Sequence, residues 1–366
     1  MLQTGTAQLP LHGGKAPRWL FSRMTKLSGT IAKVIVDSYG QDELLKRLSD
    51  PFWFQSFGCV LGFDWHSSGL TTTVCGALKQ SLNLEEHGIV ALGGKGKTSR
   101  KTPEEILQVG DMLNLSERIT TDLIRTSKLV AKVDSNCVQD GYQLYHHTFF
   151  LNEKAKWCVV QQGMNTVYAR RYHWIGFGKV EYFNDPHSGI ATQKREQDVL
   201  NLAARESQET REVSLDILKD NPIHLKRYLQ PSTQRLLSEF SPHLKMPTHH
   251  ELTQAHLTNS VLKSLQKAYE IQPEDYEELV SLKGIGAKSL RALALISEVV
   301  YGAKPSWRDP AKYSWAHGGK DGWPYPVDKQ TYDSSLEMLK SAIQEANLGN
   351  REKINALKRL ANLVNH

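Results

Sequence analysis

Residues suited to phosphodiester chemistry surround a predicted β-hairpin in the middle of the chain. Asp134 and Asp140 precede its first strand, His146 lies within that strand, and Gln161 ends the returning strand. A carboxylate before one strand with a polar residue on its neighbour is typical of restriction-like nucleases, in which divalent ions activate water and stabilise charge on phosphate. The pattern predicts Asp134, Asp140, His146 and Gln161 as catalytic residues and Mg²⁺ or Mn²⁺ as cofactor.

The hairpin departs from the nuclease pattern in two respects. Gln161-Gln162-Gly163 stands where a Glu-x-Lys triplet would be expected. His146 and His147 point to opposite faces because side chains alternate along a strand, so at most one of them can join a given site. A packed hairpin with a buried histidine is an equally good interpretation.

A second acid–histidine pair lies nearer the N-terminus. Asp64 and His66 fall on one face of an extended segment, because strand side chains repeat every two residues, and such a pair suits a divalent metal. We therefore add both to the catalytic candidates and place Asp64 with Asp134 and Asp140 among the metal ligands. In a loop the same pair more often caps a helix or orients a turn.

The C-terminal third contains a pattern that predicts a phosphate-binding helix-hairpin-helix. A short amphipathic helix is followed by a turn at Gly284 and Gly286 and by a longer helix from about residue 288 to 300. The free amides at the start of the second helix form an anion site, and Lys283 and Lys288 flank it. We expect this unit to hold a nucleic-acid backbone without recognising bases; an ordinary helix pair or a protein–protein contact is the alternative.

Three basic, glycine-rich segments are further candidates for phosphate binding. Each combines a turn that exposes backbone amides with a cation. Their candidate residues are His12 and Lys15, Lys95 and Lys97, and His317 and Lys320. Glycine turns with solvated lysines explain the two His-Gly-Gly-Lys strings equally well. The middle segment is similar to a Walker A loop with Ala91 in place of the first glycine, so a flexible phosphate-contacting loop is favoured over ATP hydrolysis.

Composition limits the class of protein. The net charge of +6 permits polyanion binding without establishing it. The four cysteines form no Cys-x-x-Cys pair and are expected to be buried thiols. No apolar run approaches the roughly 20 residues of a membrane span, and the first residues lack a signal peptide's apolar core. We expect a cytoplasmic protein.

The elements that must position these residues are mostly helices. Helical patterns dominate the first hundred residues apart from a strand at 88–92, the hairpin spans 142–163, and a long charged helix is predicted over 192–219. The sequence therefore predicts an α+β fold, predominantly α-helical, with a central β-hairpin or small sheet. The predicted parts are an N-terminal catalytic α+β domain (1–190), a charged helix and linker (191–250), and a helical nucleic-acid-binding domain with the helix-hairpin-helix (251–366).

Several longer strings are similar to a known family. They occupy residues 11–17, 50–55, 57–69, 93–96, 307–313 and 317–328. On these strings, which are long and specific and spread over nearly the whole chain, the protein is identified as a member of the family catalogued as domain of unknown function 763. The resemblance implies a prokaryotic intracellular protein, and the family name supplies no reaction.

A phosphate-binding unit joined to acid–histidine groups predicts a DNA-binding protein that is a divalent-metal-dependent nuclease, a hydrolase of DNA repair or recombination. Two alternatives stay open. The first is a non-catalytic DNA-binding or scaffold protein whose polar groups are structural. The second is an RNA-processing factor.

Overall fold

Helices surround a central sheet in the computed structural model, which describes residues 16, 18–63, 69–229, 256–314 and 329–364. The helices are α1 (Arg18–Tyr39), α2 (Gln41–Ser49), α3 (Pro51–Leu61), α4 (Leu70–Ser81), α5 (Leu84–His87), α6 (Thr102–Met112), α7 (Glu117–Lys132), α8 (Gln208–Ile217), α9 (Asn259–Ile271), α10 (Tyr276–Ser281), α11 (Ala287–Tyr301), α12 (Lys329–Glu345) and α13 (Asn350–Val364). The strands are β1 (Ile89–Lys95), β2 (Val138–Gln139), β3 (Gln143–Asn152), β4 (Trp157–Met164), β5 (Ala169–Gly176), β6 (Gly189–Thr192), β7 (Leu200–Asn201) and β8 (Tyr313–Ser314). The predicted α+β class is confirmed.

The central sheet contains the predicted hairpin and extends beyond it. Within the described residues its strand order is β1-β3-β4-β5-β6-β8, with antiparallel neighbours except for the parallel β6–β8 pair. β3 and β4 form the hairpin and bring His147 opposite Gln161. The Asn152 side chain closes the turn by accepting hydrogen bonds from the amides of Lys154 and Lys156 at 3.0 and 2.9 Å. The hairpin prediction is therefore confirmed.

Helices cover both faces of the sheet. We call one the Trp174 face, to which Phe149 and Val159 also belong; α6 to α11 pack on it in one hydrophobic core. The other, the Phe150 face, packs against α1 to α4 and against α12 and α13 in a second core. Because helices cover both faces, β3 and β4 are almost continuously buried, and their polar side chains need partners inside the protein. The predicted domain boundaries stay a prediction.

The structure corrects the prediction of one long helix. The single long helix predicted over 192–219 is wrong, because only the 3₁₀ turn Arg205–Ser207 and α8 are helical there, and residues 193–204 are extended or turn-like. Val199, Leu200 and Leu202 are fully buried in this extended segment. Their burial against the Trp174 face outweighs the helical propensity of the charged residues around them. β1 is also longer than predicted and includes Gly93, Gly94 and Lys95.

Candidate functional site

Asp134 lies at the centre of a buried polar group on the Trp174 face. The last turn of α7 passes into a π-helical turn, Val133–Cys137, a feature often found at functional sites. Asp134 Oδ2 accepts hydrogen bonds from Gln161 Nε2 at 2.5 Å and Trp174 Nε1 at 3.0 Å. Its Oδ1 lies 2.5 Å from His187 Nε2. The structure thus brings Asp134 and Gln161, two of the predicted residues, into direct contact.

Gln161 connects Asp134 to His147 and, through it, to Ser127. His147 Nδ1 lies 2.8 Å from Gln161 Oε1, and His147 Nε2 lies 2.9 Å from the Ser127 hydroxyl. The Gln161 amide nitrogen faces two acceptors, the Asp134 carboxylate and the Val130 carbonyl at 3.3 Å, so its oxygen must face the imidazole. His147 therefore carries its proton on Nδ1, and Nε2 accepts a hydrogen bond from Ser127.

The ring of His147 is neutral at neutral pH. Burial lowers its pKa below the ordinary value, and this effect outweighs the hydrogen bond that His147 donates to Gln161 and the charge of Asp134, which act in the opposite direction. A neutral imidazole that is unprotonated on Nε2 can accept a proton there. The hydroxyl of Ser127 already donates a hydrogen bond to that nitrogen.

The Ser127–His147 pair lies in a cavity of about 350 Å³. Its lining includes Ser99, Arg100, Ser127, Lys128, Tyr145 and His147. The 3₁₀ turn Gly96–Lys101 borders it and exposes Lys97 and Arg100. Lys95 Nζ lies 5.7 Å from the centre of the Tyr145 ring. Lys95 and Lys97, predicted from their glycine-rich segment, are thus exposed cations beside this cavity.

His146 points away from the Asp134 group. Its Nε2 lies 2.9 Å from the Thr148 hydroxyl, and its Nδ1 has no hydrogen-bond partner among the described residues. Burial, followed by the neighbouring His147 and Lys95, lowers the pKa of His146 to about 3. Of the two adjacent histidines, His147 is the one that faces Gln161, as strand alternation requires.

Asp140 belongs to a buried ion-pair network. Its Oδ2 accepts from Arg170 Nη1 at 2.9 Å and from the Tyr172 hydroxyl at 2.6 Å, and its Oδ1 accepts from the Tyr142 amide at 3.0 Å. Arg170 also binds both oxygens of Asp309. Burial raises the pKa of Asp140 to about 6, with Arg170 opposing the rise, so the carboxyl is ionised at pH 7. The structure places Asp140 in direct contact with Arg170 and Tyr172 rather than with Asp134.

The metal predicted at the carboxylates has no assembled site among the described residues, where no group of three Asp, Glu, His or Cys side chains is arranged to hold an ion. Both oxygens of Asp134 and of Asp140 are occupied by N–H or O–H donors, which an ion would have to displace. Six predicted residues lie outside the described residues: His12, Lys15, Asp64, His66, His317 and Lys320. The metal prediction stays a prediction.

The turn between α10 and α11, residues 282–286, presents its glycines and lysines to solvent. Gly284 has a φ of +101°, a conformation that favours glycine, and Lys283, Gly284 and Lys288 are exposed. Ile285 between the glycines is buried in the core of the Trp174 face. Gly286 caps α11 and offers no side chain to its first amides. We call this segment the α10–α11 turn.

Side chains near Asp134 fix the α10–α11 turn in place. Lys132, two residues before Asp134, donates from Nζ to the carbonyls of Val280, Ser281 and Leu282 at 2.9, 2.6 and 3.0 Å. A cation on the last carbonyls of a helix is favourable, because the helix dipole is negative there. The last residue of α7 therefore holds the α10–α11 turn, two positions before Asp134.

The amino-acid sequence assigns the chain to a family. The sequence profile of the family described as "Protein of unknown function (DUF763)" matches residues 5–327. The chain belongs to this family. The matched region contains both the Asp134 group and the α10–α11 turn, and the resemblance found in the sequence is confirmed. No curated protein and no solved structure matches the chain.

None of the described helices is long and apolar enough to cross a membrane. Ser127 and His147 belong to the candidate site but were not predicted from the sequence. Ser127 lies within an amphipathic helix and has no local signature. His147 had a usable signal, because a hairpin turn centred on residues 152–156 sets it opposite Gln161 in the strand register.

Proposed function

We propose that this protein binds the phosphate backbone of nucleic acid, with DNA favoured, and that it hydrolyses phosphodiester bonds in repair or recombination. The observation that carries the proposal is the α10–α11 turn, in which Lys283 and Gly284 are exposed and the N-cap residue, Gly286, offers no side chain to the first amides of α11. This geometry supports the interpretation of α10 and α11 as a helix-hairpin-helix. Free amides and a positive helix terminus favour a phosphate, and the two flanking lysines add charge.

The proposed contact needs a rigid turn, and the structure supports that requirement. Ile285 packs in the core below the glycines, and Lys132 binds the carbonyl end of α10. Gln139 Nε2 donates to the Ala287 carbonyl at 2.8 Å and ties the start of α11 to β2. The amides are thus held in position before a ligand arrives, which reduces the entropy lost on binding.

Binding can be tested with fluorescently labelled duplex DNA at several salt concentrations. The double variant Lys283→Ala/Lys288→Ala should bind more weakly. The slope of log association constant against log salt concentration should become less negative by about 2, because each lost phosphate contact contributes about 0.9. The matched control is Lys33→Ala/Lys219→Ala, two lysines that are 41% and 71% exposed and lie elsewhere. An unchanged slope in the Lys283/Lys288 variant would contradict this role for the turn. Competition with RNA of the same sequence tests the preference for DNA.

Hydrolysis requires a separate assay with branched, duplex and single-stranded DNA. Mg²⁺ and Mn²⁺ are added in turn, and EDTA serves in a parallel reaction; loss of cleavage in EDTA would support the metal-dependent mechanism predicted from the sequence. Absence of cleavage under all conditions would refute the enzymatic half of the proposal.

Binding without catalysis is the second candidate, and one observation favours it. The oxygens of Asp134 and Asp140 are fully engaged by protein donors, as in structural polar networks. A scaffold of this kind predicts salt-sensitive DNA binding without turnover. The two assays above separate the candidates.

A further inference from the structure

We propose that the cavity beside the Gly96–Lys101 turn is a reactive site, with Ser127 as nucleophile, His147 as its general base and a phosphodiester as substrate. Only the substrate class rests on the proposed function; the reaction of this pair needs no metal ion and is an alternative to the metal-dependent mechanism predicted from the sequence. The reactive pair rests on the geometry of α7, β3 and β4.

The hydrogen bonds run in the direction that nucleophilic catalysis needs. Ser127 donates to His147 Nε2 over 2.9 Å, within the range expected of a nucleophile and its base. The other ring nitrogen donates to Gln161, which fixes the tautomer and the ring orientation. A third group that orients the base is the usual companion of such a pair.

Asp134 extends this arrangement by one residue. Gln161 donates to its carboxylate at 2.5 Å, so the amide is polarised with its oxygen towards His147. That polarisation stabilises the imidazolium formed when His147 accepts a proton. Gln161 and Asp134 are therefore positioning residues, while Ser127 and His147 touch the substrate.

The surroundings of the pair suit an anionic substrate. Arg100 and Lys128 line the cavity and are exposed, and the exposed Lys97 belongs to the same 3₁₀ turn as Arg100. Cations aimed at the phosphoryl oxygens stabilise the charge that develops there during transfer. The half-buried ring of Tyr145 offers a surface on which a base can stack.

The reaction proceeds in two balanced steps. In the first, Ser127 Oγ attacks phosphorus while its proton passes to His147 Nε2; the bond from phosphorus to the leaving oxygen, on the opposite side, breaks, and that oxygen takes a proton from solvent water. In the second, water attacks the phosphoserine phosphorus from that opposite side and releases a proton to solvent, while the bond from phosphorus to Ser127 Oγ breaks and Oγ recovers its proton from His147 Nε2. The net change is hydrolysis of one phosphodiester bond.

Bis(p-nitrophenyl) phosphate tests the pair without DNA. We expect nitrophenolate release in the presence of EDTA and a covalent adduct on Ser127 in peptide mass spectra. Ser127→Ala and His147→Ala should each lose about 10²- to 10⁴-fold in rate, and added imidazole should restore part of the activity of His147→Ala only. Ser135→Ala and His224→Ala are matched controls, since both side chains are exposed and lie outside the cavity.

Positioning is tested with Gln161→Leu, which should lower kcat while leaving KM unchanged. Circular dichroism of every variant checks folding first. Unchanged turnover in Ser127→Ala, loss of turnover in EDTA, or absence of both turnover and adduct in the wild type would overturn the proposal. Turnover of p-nitrophenyl acetate alone would overturn the substrate class. Salt-dependent DNA binding by Ser127→Ala reports separately on the α10–α11 turn, so the two proposals can fail independently.

Discussion

Replacing Arg170 by methionine should leave two buried carboxylates without their cation. Arg170 Nη1 lies 2.9 Å from Asp140 Oδ2, and its Nη2 lies 2.6 Å from Asp309 Oδ2. All three side chains are at most 1% exposed. Methionine fills much of the same volume, so the main loss is electrostatic.

The expected loss is large for a single substitution. Removing one partner of a buried ion pair costs about 3–5 kcal/mol in the free energy of unfolding, because the remaining charge is desolvated and unpaired. The matched control is Arg308→Met, whose pair with Glu206 is 82% and 56% exposed. Pairs of that kind contribute only about 0–1 kcal/mol.

The loss should also depend on pH. Burial already raises the pKa of Asp140 to about 6 from 3.8, and without Arg170 its pKa rises further. A carboxyl whose folded pKa exceeds its unfolded pKa adds stability below the unfolded value and loses it as pH rises through the folded value. The deficit of Arg170→Met should therefore be greatest at neutral pH and above, and shrink as the solution is acidified.

Urea unfolding followed by tryptophan fluorescence, at several pH values, measures this deficit for both variants. A deficit of Arg170→Met no larger than that of Arg308→Met, or one that does not change with pH, would refute the assignment of Asp140, Arg170 and Asp309 as a buried ionic network.

Two further substitutions test positions that hold the site together. Gly93→Ala should destabilise the protein by about 1–3 kcal/mol, the usual cost of a strained backbone, since Gly93 has a φ of +83° and an added Cβ would lie 2.4 Å from the His147 carbonyl oxygen; an unchanged melting temperature would contradict this. Lys132→Met removes the donor to three carbonyls of the α10 end. We expect faster amide hydrogen exchange in residues 282–286 and weaker DNA binding, whereas exchange equal to that of the wild type would show that Lys132 does not fix the turn.

The sequence was sufficient for the hairpin and for α11, and insufficient for β5. Strong β propensity and an Asn-led turn predict β3 and β4, and α11 begins within one residue of its predicted start. β5 carries Arg170, Arg171 and His173, which do not resemble a buried strand. They are buried because distant residues bind them: Asp309 lies 139 positions from Arg170, and Gln55 lies 116 positions from Arg171.

The candidate site was predictable only where local pattern determines contact. Asp134 and Gln161 could be paired because a residue before one strand and a residue ending its neighbour lie close together. Ser127 could not, since its contact with His147 depends on how α7 crosses the sheet. Which of two adjacent histidines faces the site follows from register, and the register follows from the position of the turn.

Helix α7 carries residues of both proposed sites, which has a consequence for where the proposed reaction would occur. Ser127 and Lys132 lie five positions apart on one rigid helix, and the second holds the turn proposed to bind phosphate. The distance from the held phosphate to the reacting one is then set by helix geometry, not by a flexible loop. In the proposed reaction, each cut would therefore fall at a constant offset from the phosphate bound at the α10–α11 turn, whatever the sequence between them.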